Sequence, residues 1–213
     1  LVAKAPADGY TLLFGTASVV AINMVTYSKL PYDTLRDFQP LTPVMTTSTI
    51  LVVHPSIPAK SLKELVGLAK ARPGELNYGS GGTGSSNHLA AELFTSMAGV
   101  NIVRIPYKGS GPALNALLGG HVQLAFPPAG AVSPHLKAGR LRALAVTSAQ
   151  PSSLAPGLPT VAAAGVPGYE STSTQGVLAP AKTPGAIIEK LNQEIVRFVR
   201  SPEAKTMAFD FTC

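Results

Sequence analysis

Short apolar runs alternate with segments of helical periodicity along this chain. The runs are rich in β-branched and other apolar residues and are followed by glycine, proline or serine, which predicts strands. The turn after the first run consists of small residues, Gly15, Thr16, Ala17 and Ser18. The predicted strands cover residues 11–14, 50–53, 102–105, 122–126, 141–147 and 177–180.

Helices are predicted between these strands. The first opens at a capping box from Ser61 to Glu64 and ends before Pro73. The next ends at Gly99 and carries apolar residues at helical spacing, which are Leu89, Ala90, Leu93, Phe94 and Met97. Further helices are predicted from Pro112 to Gly119, from Ala131 to Ala138 and from Pro184 onward.

This alternation of strands and helices favours parallel βαβ units, so the predicted fold class is α/β. Ligands of such sheets bind beyond the carboxyl ends of the strands. The segment 151–167 is rich in Pro, Gly, Ser and Ala and predicts a long surface connection.

A Gly- and Ser-rich segment, residues 77–88, lies between an apolar run and a helix. Glycines let a backbone approach a ligand closely, and a helix start offers N–H groups and a positive dipole end. The segment therefore predicts an anion site, although a capped, flexible connection is the plainer interpretation. Its candidate binding residues are Ser80, Gly82, Thr83, Gly84, Ser85, Ser86 and His88.

Composition and charge agree with a globular binding protein. The 213 residues are 46% hydrophobic and 13% charged, with a net charge of +6. No acidic residue occurs between Glu92 and Glu170, whereas five cationic residues do, which agrees with an anionic ligand, although a plain solvated face is the simpler interpretation for most of them. These cations are scattered and have few aromatic neighbours, so no nucleic-acid partner is predicted. No apolar run reaches the length of a membrane span.

A nucleotide site is the main alternative from the residues alone. Gly79 to Gly84 satisfies G-x-G-x-x-G, but no acidic residue follows about 20 positions later to hold a ribose. There is no G-x-S-x-G elbow and no paired histidines or carboxylates, so no catalytic residue, cofactor or metal site is predicted. The single cysteine, Cys213, excludes an intrachain disulfide.

Several short motifs then occur in order along the chain. They are DGYTLL from Asp8, LPYD from Leu30, VVHP from Val52, LNYGSGGTGSSNHLA from Leu76, IPYKG from Ile105, LLGG from Leu117 and LRALAVT from Leu141. Together they resemble the substrate-binding proteins of tripartite tricarboxylate transporters, also called Bug receptors. The resemblance extends from the first residues to about Pro202.

The resemblance implies a non-enzymatic periplasmic solute receptor with a fold like that of type II periplasmic binding proteins. Two lobes would close on a small carboxylate, which is a dicarboxylate, a tricarboxylate or an amino-acid-like ligand. Residues 1–46 and 175–213 would form the first lobe, and residues 47–174 the second. The implied partners are the membrane subunits of the transporter, and no cofactor is implied.

The resemblance also implies where the ligand binds. Backbone amides and hydroxyls of the segment from Ser80 to Ser86 would hold the carboxylate, with the turn from Gly15 to Ser18 opposite. Phe126 is followed by proline where the family has aspartate at the end of a cleft strand. Gln175 belongs to a Thr-Gln pair that replaces Trp-Phe.

Two family features are missing from this sequence. Family members begin with a signal peptide and a strand-helix-strand unit whose Gly-rich loop completes the carboxylate clamp. The residues after Glu203 also do not match. We therefore expect a truncated receptor with an incomplete first lobe, which would favour self-association and be detectable by sedimentation. A remnant that keeps the fold without binding, and an α/β enzyme that binds a nucleotide, remain the alternatives.

Overall fold

The predicted alternation of strands and helices is present in a computed structural model, which describes residues 1–152 and 155–204. The strands are β1 Leu13–Thr16, β2 Phe38–Ser48, β3 Ile50–Val53, β4 Asn77–Ser80, β5 Val103–Pro106, β6 Leu124–Ala125, β7 Arg142–Val146 and β8 Thr172–Pro180. The helices are α1 Asn23–Thr26, α2 Thr34–Asp37, α3 Leu62–Ala71, α4 Ser86–Ala98, α5 Ser110–Leu118, α6 Ala129–Lys137 and α7 Gly185–Val199.

The chain divides into two compact units. The first comprises Leu1–Thr47 and the described residues 173–204, and the second comprises Ser48–Thr172 without residues 153 and 154. Strands β2 and β8 connect the units, so the chain passes from one to the other twice.

The first unit contains a three-stranded sheet of order β1-β8-β2. Strand β1 pairs antiparallel with β8, which places Thr16 opposite Gln175. Most apolar residues of α7 are partly buried, Phe198 is exposed, and none of them is fully buried. This unit therefore supplies few of the fully buried apolar residues of the described chain.

The second unit contains a five-stranded sheet of order β5-β4-β6-β3-β7. Strand β4, which was not among the predicted strands, is parallel to both β5 and β6, so these two run in the same direction, as the alternation of elements predicted. Strand β3, however, is antiparallel to β6 and β7, so the prediction of parallel units is wrong at that strand. A helical connection can return a strand in either direction, and a hydrophobic pattern does not distinguish the two.

The core of the second unit lies on both faces of this sheet. Successive residues of β3 point to opposite faces: Leu51 and Val53 join one buried cluster, and Ile50 and Val52 join another. The first cluster packs against α3 and α4, and the second against α5 and α6. Because both faces are covered, β3 is a continuous apolar run instead of an alternating one.

The predicted surface connection 151–167 is wrong in part. Val161 and Val166 are buried in the core of the second unit. The N–H group of Val161 donates to the carbonyl of Val146, at 2.9 Å, so this stretch extends the sheet. The high content of Pro, Gly and Ala in this segment predicted a surface position, although two of its valines are core residues.

The predicted apolar face of α4 is also wrong in part. Ala90 and Phe94 are fully buried, whereas Leu89, Leu93 and Met97 are 36–40% exposed. Phe94 packs its ring against Phe126 and Tyr169, with ring centroids 5.8 and 6.4 Å away. Only the sheet decides which side of this helix faces the core.

No helix in the described part of the chain is long and apolar enough to cross a membrane.

Candidate functional site

Three helices of the second unit begin at one edge of its sheet. Strands β4, β5 and β6 are adjacent and parallel, and each is followed directly by a helix, α4, α5 or α6. Since neighbouring strands lie about 5 Å apart, the ends of the three strands that precede these helices span roughly 10 Å. None of these helices has an acidic residue in its first turn. The N-terminal dipole ends of these helices therefore favour an anion at this edge.

The loop from Gly81 to Ser85 covers this edge, and its glycines are required by its backbone. Gly82 and Gly84 have φ values of +122° and +75°, a region that other residues rarely adopt. Gly81 lies so close to the start of α5 that an added Cβ would be 3.0 Å from the Ser110 nitrogen. The glycines thus serve both the path of the loop and its contact with a second helix start.

Hydrogen bonds inside the loop hold its shape. The Ser85 hydroxyl lies 2.7 Å from the Gly82 carbonyl oxygen and 2.5 Å from Asn87 Oδ1. The buried Asn87 side chain also accepts from the Gly81 N–H group, at 3.3 Å. Asn87 was not among the predicted site residues. Its position in the first helical turn after a Gly-rich loop could have indicated that its side chain bonds to that loop.

Helix α4 begins without a side-chain cap. Its N-cap residue is Ser85, whose hydroxyl is directed into the loop and not at the helix. The first intrahelical bond runs from the Leu89 N–H group to the Ser85 carbonyl, at 3.0 Å. The N–H groups of residues 86–88 therefore precede the helical ladder and can donate to a ligand.

His88 is held in its neutral form. Its Nδ1 accepts from the Gly84 N–H group, at 3.2 Å, which assigns the ring proton to Nε2. Nε2 lies 3.9 Å from the Glu92 carboxylate. Burial and the nearby Arg104 charge lower the pKa of His88, and Glu92 opposes this only in part. His88 thus serves the loop as a hydrogen-bond acceptor.

This arrangement predicts a dependence of stability on pH. The pKa of His88 is lower in the folded chain than in the unfolded chain. The contribution of His88 to the free energy of unfolding is therefore complete at pH values above its pKa in the unfolded chain. It is lost as the pH falls through its pKa in the folded chain. We expect His88→Gln to reduce the loss of stability between about pH 7.5 and about pH 5. The glutamine oxygen can accept the same Gly84 bond without taking up a proton.

Urea denaturation at both pH values would measure this effect. The exposed His121, replaced in His121→Gln, is the control and should behave as the wild type does. Equal pH dependence in the wild type and in His88→Gln would contradict the assignment.

Arg104 links the loop to the sheet edge. From β5, its Nε donates to Ser80 Oγ at 2.8 Å and its Nη2 donates to Thr83 Oγ1 at 3.2 Å. Arg104 was not among the predicted site residues. Its position depends on the strand register: Arg104 pairs with Tyr78, so it shares a sheet face with Ser80 two residues further on, which no sequence pattern shows.

The candidate residues of the second unit differ in what they can contact. Thr83 and Ser86 are exposed, and Gly82, Ser85 and His88 are partly exposed. Gly84 and Ser80 are buried, so Ser80 supports the loop from beneath and does not face solvent. The expectation that Phe126 contacts the ligand is wrong, because its ring is fully buried against Phe94 and belongs to the core.

The candidate residues of the first unit lie near the start of its sheet. The predicted turn from Gly15 to Ser18 is wrong in its first half, because Gly15 and Thr16 belong to β1. Gly15 is buried, and an added Cβ would be 2.8 Å from the Leu178 side chain. Ala17 then precedes one wide helical turn, Ser18–Ile22. Among the candidate residues of the first unit, Thr16 and Gln175 are cross-strand neighbours, because they pair in the register of β1 and β8.

No group of three or more His, Cys, Asp or Glu side chains within residues 1–152 and 155–204 is arranged to hold a metal ion.

Comparison with known proteins identifies the relatives of this chain. The profile of the family described as tripartite tricarboxylate transporter family receptor matches residues 1–212. Protein BugT of Bordetella pertussis is 40% identical over 200 residues, covering 93% of this chain and 61% of BugT. The resemblance drawn from the short motifs is confirmed, and it extends beyond Pro202, so the expectation that the residues after Glu203 do not match is wrong.

Solved structures agree. Rpa4515 of R. palustris, determined with adipate, is 41% identical with a TM-score of 0.91, covering 99% of this chain and 71% of that one. MatC (Rpa3494) of Rhodopseudomonas palustris, determined with bound malate, is 28% identical with a TM-score of 0.85, covering 99% and 72%. The predicted α/β fold is confirmed. The chain spans about 60% of the length of curated relatives such as BugT.

Proposed function

We propose, since the chain belongs to the tripartite tricarboxylate transporter family of receptors, that it binds a small carboxylate outside the cytoplasm and presents it to a transporter. The two compact units correspond, in this proposal, to the two lobes of a solute receptor. The carboxylate is bound at the loop from Gly81 to Ser85. The chain performs no chemistry on the ligand and requires no cofactor.

The observation that carries this proposal is the uncapped start of α4 beneath the Gly-rich loop. The N–H groups of residues 86–88 have no side-chain cap, and two further helices begin at the same sheet edge. A carboxylate accepts hydrogen bonds and carries the charge that helix N-termini favour. The exposed hydroxyls of Thr83 and Ser86 add donors beside them.

The ligand class follows from relatives and from charge together. Rpa4515 was determined with adipate and MatC with malate, and both ligands are dicarboxylates. In this chain Glu92 is the single acidic residue between Glu75 and Glu170. Few carboxylates therefore oppose an anion near the loop, and we propose a dicarboxylate as the ligand.

A nucleotide is not favoured as the ligand. The loop lacks an acidic residue about 20 positions later, where a ribose would be held. The family match concerns receptors and not enzymes. The periplasm is the proposed location, and the membrane subunits of the transporter are the proposed partners. Self-association stays a prediction for sedimentation velocity to test.

Isothermal titration calorimetry of the chain with adipate, malate, hexanoate and NADP tests the proposal. We expect saturable heat with at least one dicarboxylate and weaker or no heat with the monocarboxylate hexanoate. Heat with NADP alone would replace the proposal with a nucleotide site. Absence of heat with all four compounds would instead identify this chain as a fold that does not bind these ligands.

A further inference from the structure

Arg104 is a cationic side chain in hydrogen-bond contact with the Gly-rich loop. No described carboxylate forms an ion pair with it. The nearby Glu92 carboxylate accepts from the Tyr78 hydroxyl instead. The positive charge at the loop is therefore not cancelled by an ion-pair partner within the described residues.

The chemistry of the guanidinium group determines the role of the hydroxyls that it contacts. Arginine has five N–H donors and no acceptor, so the Ser80 and Thr83 oxygens must accept from it. A hydroxyl group that accepts in this way still has one hydrogen to donate in another direction. Thr83 is exposed, so its hydrogen is available to a ligand acceptor.

The two contacts have different functions. Ser80 is fully buried at the end of β4, and its hydroxyl, 2.8 Å from Nε, fixes the guanidinium against the sheet. Thr83 lies on the exposed loop and receives the Nη2 bond at 3.2 Å. The guanidinium group thus connects the exposed Thr83 hydroxyl to the buried end of β4 and restricts its position.

We propose, on the basis of the function proposed above, that Arg104 is a positioning residue of the carboxylate site. It holds the Thr83 hydroxyl as a donor toward the ligand and supplies the positive charge beside it. The neutral donors of the loop and the helix starts already favour a carboxylate over an uncharged amide. The Arg104 charge increases this preference for anions.

Two substitutions separate charge from shape. Arg104→Lys keeps the charge and, like arginine, offers no acceptor, but it lacks the fork that reaches two oxygens. Arg104→Gln removes the charge. The glutamine side-chain oxygen can also accept a hydrogen bond from the Thr83 hydroxyl, whose hydrogen would then not be available to the ligand. Lys108→Gln is the matched control, because it removes one positive charge from an exposed position just beyond the same strand.

Titration of each variant with adipate at low and at physiological salt tests the proposal. We expect Arg104→Gln to bind roughly tenfold or more weakly, and Arg104→Lys to recover part of that loss. The affinity of the wild type should fall with salt, and this fall should be shallower in Arg104→Gln. Lys108→Gln should bind as the wild type does.

A purely structural role would give different results. Equal weakening in Arg104→Lys and Arg104→Gln, with the salt dependence of the wild type kept, would overturn the proposal. Wild-type affinity in Arg104→Gln would overturn it while leaving the carboxylate receptor intact. A wild type that binds none of the carboxylates would overturn the proposed function, and this inference with it.

Discussion

Replacing Gly82 by alanine is expected to weaken carboxylate binding by about tenfold or more. Gly82 has a φ of +122°, which alanine rarely adopts, and forcing it costs roughly 1–3 kcal/mol. The loop would relieve this strain by moving, and the movement would displace the Ser85 bond to the Gly82 carbonyl. The donors of the loop and of the α4 start would then no longer converge on one ligand.

Gly67→Ala is the control for this variant. Gly67 lies within α3, and an added Cβ there would meet no atom within 4 Å. Alanine in a helix is favoured over glycine by about 1 kcal/mol, so this variant should be slightly stabilised and should bind normally. Calorimetric titration with adipate measures both variants. Unchanged affinity in Gly82→Ala would place the carboxylate elsewhere.

The second large effect is expected on stability. Phe94→Ala should destabilise the second unit by about 3–5 kcal/mol, the range for removing a buried phenylalanine. The Phe94 ring is fully buried between Phe126 and Tyr169. Its loss would leave a cavity that the sheet and α4 cannot close without moving.

Leu93→Ala is the matched control, one residue away on the same helix. Leu93 is 37% exposed, so its truncation should cost less than about 1 kcal/mol. Amide hydrogen exchange of the β3 peptide, read by mass spectrometry, reports on the second unit alone. A similar loss of protection in both variants would show that the Leu89–Leu93 side of α4 is buried in solution.

The comparison of Phe94 with Leu93 shows the limit of pattern-based prediction. Both residues fit the helical spacing that predicted an apolar face. Helix α4 ends at the expected Gly99, but it begins at Ser86, inside the segment 77–88 that was expected to precede it. The spacing defines a stripe that is wider than the surface the sheet can cover. Which edge of the stripe is buried depends on the position of Tyr169 and Phe126, which are distant in sequence.

The Gly-rich loop shows the same limit. Its glycines, hydroxyls and helix start were predictable, because they are consecutive in sequence and each has a known backbone preference. Arg104 was not selected, because it reaches the loop from another strand and only the parallel register places it beside Ser80. Ser80 and Phe126 were expected at the surface of the site, yet the packing of strands β4 and β6 buries both.

Most strands and helices, the Gly-rich loop and the family of this protein could be inferred from the sequence alone. They follow from neighbouring residues and from short motifs that occur in order along the chain. The direction of β3, the buried side of α4 and the contact between Arg104 and Thr83 depend instead on tertiary packing. Those features depend on residues that are far apart in the chain, and no local propensity encodes which of them will meet.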